Sequence, residues 1–153
     1  YKVSPWGLVW DDEKYYMIAY DSSAEMIKHF RVDKMIRIGQ LDMVREGKDD
    51  FKKIEMSSYT RKRFGMFTGK EQSVTMLCEN ELAGVMLDRF GRDVKIRKVS
   101  ETQFRITVDV AVSNNFFGWL VGLENGVKII APDKVVEDMK QYIMQLYEIY
   151  DLY

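Results

Sequence analysis

The sequence predicts an α+β fold in two parts, a small antiparallel β-barrel or meander followed by a ferredoxin-like βαββαβ sheet with one extra helix. Three observations carry this expectation. Roughly the first forty residues hold four short aromatic or β-branched runs, joined by tight polar turns. The second half alternates strand and helix patterns in the order β-α-β-β-α-β-α. After Pro132 the apolar positions Val135, Val136, Met139, Ile143, Leu146 and Tyr150 follow helical spacing. We place the barrel at 1–42, a connector at 43–72 and the second domain at 73–153.

In the first part, Trp6–Trp10 and Tyr15–Tyr20 are strands, because aromatic and β-branched residues favour a pleated, half-buried surface. Asp11-Asp12-Glu13-Lys14 is the polar turn between them, and Asp21-Ser22-Ser23 the next turn. Met26–Val32 and Met35–Leu41 complete the set of strands. From Asp42 the chain becomes strongly charged, and Asp49 or Asp50 is a candidate cap for a short helix through Phe51, Ile54 and Ser58.

In the second part, Val74–Leu77 is a short strand. Asn80 is expected to cap a helix whose apolar positions are Leu82, Val85, Met86 and Phe90, ending near Gly91. Val94–Val99 and Phe104–Val110 alternate apolar and polar residues and form a hairpin around Ser100–Gln103. Ser113 caps a helix through Phe116, Phe117, Leu120 and Leu123, stopped by Asn125-Gly126. Val127–Ile130 is the last strand, and Pro132 opens the final helix.

Composition excludes several classes of function. Net charge is -1 with an isoelectric point near 5.9, so any nucleic-acid contact needs a local patch rather than bulk charge. The single cysteine, Cys78, cannot form an intramolecular disulfide, which fits a reducing cytoplasm. No apolar run approaches the ~20 residues of a membrane span, so no membrane partner is expected. A nucleophile elbow, a phosphate-cradling glycine loop and a carboxylate or Cys/His constellation at useful spacing are all missing, so neither enzyme activity nor a cofactor is expected. The lone histidine, His29, lacks partners at ligand spacing, which removes a metal site.

One stretch concentrates positive charge beside aromatic residues: Lys28-His29-Phe30-Arg31, continuing through Lys34 and Arg37. These residues suit an anion-binding face, and they equally suit a solvated edge that discourages aggregation. Arg31 is the strongest single candidate, since its planar fork fits phosphate and can stack on bases. His29 can donate to a phosphate or simply pack at a rim. Tyr16 shares a strand face with Tyr20, either as core or as a stacking platform. Arg61, Lys62 and Arg63, followed by Phe64, are candidates for nucleic-acid contact or for a solvated connector.

The residues then carry a family likeness. Val3–Trp10, Tyr15–Asp21 and Ile27–Met35 resemble the WYL domain of bacterial transcriptional regulators, a small Sm-like β-barrel. The naming triplet falls on Tyr15-Tyr16-Met17, and the later Asp-Arg-Ile pattern on Asp33-Lys34-Met35, where lysine keeps the charge but loses the bidentate fork. Phe64–Phe67, Phe90–Val94 and Leu123–Pro132 are similar to the C-terminal extension domain that follows WYL domains. The resemblance implies that Ser4, Tyr16, Lys28, His29, Arg31 and Lys34 face a ligand. It implies the effector-sensing, dimerising half of a regulator, whose anionic ligand is single-stranded DNA or RNA or a nucleotide. Together with the strand-like start at Tyr1, it makes the chain a piece of a longer protein, with duplex DNA bound only by a helix-turn-helix domain absent from this sequence. The competing expectation is a structural homodimerisation module with no ligand, its interface formed by the last helix and Trp119.

Overall fold

The computed structural model describes residues 1–11, 13–54, 56 and 70–150, with the backbone alone at 70. The chain divides into two compact units, Tyr1–Thr60 and Arg61–Tyr153.

The first unit is built on an antiparallel sheet of three strands in sequence order, β1 (Val3–Asp11), β2 (Lys14–Asp21) and β3 (Met26–Arg31). β1 and β2 pair from Val3↔Asp21 to Asp11↔Lys14, with an irregularity between Pro5 and Gly7. Val9, Tyr16, Ile18 and Ala19 form its buried apolar residues. The turn after β2 is fastened by buried Asp21, whose carboxylate accepts from the amides of Ser23 and Ala24. Short helix α1 spans Lys48–Lys52.

The expectations for this unit need two corrections. The stretch Met35–Leu41 is irregular chain rather than a strand, so the sheet is open among the described residues. A helical turn at Val32–Lys34 carries the chain off β3, and no neighbouring edge takes up its backbone. Alternation of Ile36 and Ile38 with basic residues looks strand-like, yet both isoleucines are exposed. The second correction concerns α1, which is preceded by Gly47 in a left-handed conformation (φ 75°) and not capped by an aspartate. Asp49 and Asp50 instead occupy its first turn, where negative charge complements the helix dipole. A side chain at Gly47 would fall on the Tyr20 ring, so the position requires glycine.

The second unit is a four-stranded antiparallel sheet in the order β5-β6-β4-β7, with β4 at Lys70–Glu79, β5 at Lys95–Lys98, β6 at Gln103–Val112 and β7 at Val127–Ala131. Helix α2 (Ala83–Phe90) joins β4 to β5, α3 (Asn114–Val121) joins β6 to β7, and α4 (Asp133–Ile149) follows β7. One face of the sheet supplies Val74, Met76, Cys78, Phe104, Ile106, Val108, Val110 and Ile129 to the core. Against them pack Met86 and Phe90 of α2, Phe116, Phe117 and Leu120 of α3, and Val135 of α4. Burial of side chains this size contributes about 1.5–3 kcal/mol each, so this core dominates the unit's stability.

Ser113 caps α3 as expected, its Oγ accepting from the Phe116 amide at 3.3 Å. Gly91 ends α2 with φ 90°. Asn80 does not cap α2. It begins a short 3-10 turn, and its side chain donates to the Glu101 carbonyl, tying β4 to the β5–β6 turn. Trp119 is half-buried, edge-on to Phe90 at 5.7 Å, and so is not one of the exposed aromatics. In α4 the expected apolar stripe divides: Val135, Val136 and Met139 meet the core, whereas Ile143 and Tyr150 are exposed.

Candidate anion-binding cleft

Beyond the turn at Val32–Lys34 the chain runs back toward β1 and is fastened there. The Ser4 Oγ accepts from the Glu46 amide at 2.9 Å, and the Trp6 indole Nε1 donates to the Glu46 carbonyl at 2.7 Å. Arg45 donates to the Pro5 carbonyl at 3.0 Å and lies 4.3 Å from the centre of the Trp6 ring. Trp6 in turn stacks on Phe51 of α1 with ring centres 6.0 Å apart. These contacts close a loop of some forty residues and leave a cleft of about 1050 Å³ between the return segment, the start of β1 and β3.

The lining combines apolar and cationic side chains. Val3, Met17, Phe30, Met35, Ile38 and Leu41 supply apolar surface. Lys2, Arg31, Lys34, Arg37 and Arg45 supply positive charge, and Glu46 is the one carboxylate among the lining residues. That imbalance occurs in a chain whose net charge is -1, so the positive charge is concentrated locally.

Four of the six residues expected to face a ligand lie along the cleft: Ser4, His29, Arg31 and Lys34. His29 and Arg31 sit opposite Ile18 and Tyr16 in the β2–β3 register, so one side of β3 presents both. Tyr16 is buried and backs Arg31 from the neighbouring strand, outside the cleft lining. Lys28 pairs with Ala19 on the other side of β3, and its ammonium lies 2.7 Å from the Asp21 carboxylate. This hydrogen bond from Lys28 is the largest influence holding the Asp21 carboxyl below its usual range. Lys28 thus neutralises a buried acid and is not part of the cleft lining. Ser4 is buried too, and its hydroxyl is spent on the Glu46 amide. Arg61, Lys62 and Arg63 lie outside the described residues.

Arg31 is engaged within the chain. Its Nε and Nη2 donate to the two carboxylate oxygens of Asp33 at 3.1 and 2.8 Å, a bidentate fork. Hydrogen bonding from Arg31 is the main cause of the lowered Asp33 pKa. The fork sets a planar carboxylate, that of Asp33, against one edge of the guanidinium.

Residues 1–39 match the family model of the WYL domain. The WYL-matching segment contains β1, β2, β3 and the turn carrying Arg31, Asp33 and Lys34, and it stops short of Arg45 and Glu46. No curated protein matches the chain. Among solved structures, the chain is similar to the proteasome accessory factor B/C (PafBC) of Arthrobacter aurescens, with a TM-score of 0.38 and 14% identity. That alignment covers 90% of this chain and 21% of the other, so the chain spans about a fifth of PafBC's length.

The charged cleft residues not singled out in advance are Lys2, Arg45 and Glu46. Arg45 lay in the charged connector, forty residues from its partner Pro5. Among the described residues, no group of three or more His, Cys, Asp or Glu side chains could hold a metal ion, and no helix is long and apolar enough to cross a membrane.

Proposed function

We propose that this chain is the effector-sensing region of a bacterial cytoplasmic transcription regulator. Its ligand is an anion held in the cleft, single-stranded nucleic acid or a nucleotide by class. The observation that carries this reading is the lining of the cleft, in which five cations and one carboxylate surround apolar surface. Phosphate binds the cations, while Phe30 and the apolar wall accept a base. Arg31 is the phosphate-reading residue, with Lys34 and Arg37 as point charges and His29 as a further donor. The match of residues 1–39 to the WYL domain supports a regulatory role rather than an enzymatic one. In this reading the first unit is an Sm-like sheet, and the order β5-β6-β4-β7 with a helix in each crossover supports a ferredoxin-like second unit. Duplex DNA is contacted through a separate helix-turn-helix domain, and ligand binding biases a homodimer.

Fluorescence anisotropy with a labelled single-stranded oligonucleotide tests the proposal, comparing wild type with Arg31→Ala across a salt series. Binding that weakens with salt and is reduced in the variant supports the cleft. Absence of binding by wild type at low salt, with nucleotides also failing, rejects it. A pure dimerisation module is the second reading, favoured by exposed Ile143, Tyr147 and Tyr150 along α4. Titration of wild type with the oligonucleotide and with nucleotides separates the two readings, because both self-associate and only the first binds a ligand.

A further inference from the structure

The helices of the second unit all pack on one face of its sheet, and the other face carries an arrangement of charge that packing does not explain. In register, Arg97 of β5 lies opposite Arg105 of β6, Arg105 opposite Leu77 of β4, and Leu77 opposite Lys128 of β7. Directly opposed residues share a face, so these four side chains form one row across all four strands. Their neighbours along the strands, Ile106, Met76 and Ile129, are buried in the core, which puts the row on the outer face. The next row holds Lys95, Thr107 and Thr75, with the two threonine hydroxyls 3.0 Å apart.

Two features make this row unusual. Arginines directly opposed across a strand pair repel each other and destabilise the sheet. In addition, none of Arg97, Arg105, Lys128 and Lys95 forms an ion pair with a described residue. The acids on the same face stand in other rows: Glu79 accepts from the Gln103 side-chain amide at 2.7 Å, Asp109 lies opposite Ser73, and Glu71 opposite Ala111.

We propose that this outer face is a second anion-binding site, which takes the sugar-phosphate backbone of a single nucleic-acid strand running across the β-strands. An acidic peptide adds to a sheet chiefly through main-chain hydrogen bonds at an edge strand. Here the charges run perpendicular to the strands through the middle of the sheet, where no main-chain bond is on offer. A ligand laid along that row binds by charge at each of its own repeating units, which a phosphodiester chain provides. Strand spacing makes the row roughly 14 Å long, room for two or three phosphates, and half-buried Leu77 offers apolar contact between the cations.

The test uses the full chain and labelled oligothymidylate, with anisotropy read across a salt series. Variants are Arg97→Gln/Arg105→Gln/Lys128→Gln and its charge-retaining counterpart Arg97→Lys/Arg105→Lys/Lys128→Arg, each with and without Arg31→Ala. Each phosphate contact contributes about -0.7 to the slope of log K against log salt. The glutamine variant should therefore lose roughly 2 from the slope and weaken on the order of 100-fold at 0.1 M salt, while the charge-retaining variant keeps the slope. That loss, seen also with Arg31→Ala, supports the sheet site whatever becomes of the cleft. An unchanged slope in both backgrounds overturns it, as does full loss of binding from Arg31→Ala alone. Displacement by oligoglutamate as effective as by unlabelled DNA overturns it in favour of an acidic protein partner. Should the triple glutamine variant unfold, the single variants at exposed Arg97 and Lys128 decide, with a slope change of about 0.7 each.

Discussion

Replacing Arg45 by alanine should loosen the return segment without unfolding the protein. The substitution removes two contacts, the guanidinium over the Trp6 ring at 4.3 Å and the hydrogen bond to the Pro5 carbonyl at 3.0 Å. An exposed cation–π contact is worth about 0.5–1 kcal/mol and a hydrogen bond a net ~0.5–1.5 kcal/mol. Their combined loss is about 1–2 kcal/mol, which multiplies the opening equilibrium roughly 5–30-fold. Two anchors remain, the Ser4 hydroxyl on the Glu46 amide and the Trp6 indole on the Glu46 carbonyl. Native-state hydrogen exchange reads the effect at the Glu46 amide, whose protection should fall by that factor while the amides shared by β4 and β6 stay unchanged. Arg45→Lys should fall between, keeping a charge but losing the planar group. Unchanged protection at Glu46, or an equal loss throughout the β4–β6 ladder, would refute the claim that Arg45 fastens this wall.

Other expectations follow from single residues. The Asp21 carboxyl has a folded pKa below its unfolded value, so its contribution to stability is present above about pH 4 and disappears as pH falls through the folded value. Thermal melts should thus be flat in this contribution near neutrality and drop in acid, with a smaller acid drop in Asp21→Asn; identical pH profiles would contradict it. Gly47→Ala places a Cβ on the Tyr20 ring at φ 75°. The left-handed backbone alone costs about 1–2 kcal/mol, so Tm should drop by at least about 3 °C. Burial pushes the Cys78 thiol up to about 12, so a thiol reagent at pH 8 should modify it only after denaturant is added.

Much of the fold was legible because its signals are local. The β5–β6 hairpin alternates cleanly around a turn in which the Ser100 hydroxyl accepts from the amides of Thr102 and Gln103. The α3 cap at Ser113 needs only the next three residues. What escaped depends on partners distant in the chain. Met35–Leu41 has the alternation of a strand, but a strand exists only where another edge accepts its hydrogen bonds, and the Val32–Lys34 turn removes it from that edge. β4 begins at Lys70, several residues before its apolar run, because β6 offers a long partner through Val112. In the cleft, the β3 cations were visible as a cluster, whereas Lys28 was drawn away by Asp21 and Arg45 arrived from the connector.

The fork between Arg31 and Asp33 gives the cleft a built-in threshold. A carboxylate tethered two residues away competes at an effective concentration in the millimolar range or above, so dilute simple anions cannot displace it from the guanidinium. Under the proposed function a ligand succeeds by adding contacts that Asp33 lacks, to Lys34, Arg37 and the apolar wall at once. Under that proposal the additional contacts to Lys34 and Arg37 let a multivalent anion bind where chloride, acetate or inorganic phosphate at the same concentration does not. Asp33→Asn should remove the competitor and raise the affinity for both kinds of anion, and titration of both proteins with inorganic phosphate and with a trinucleotide measures it directly.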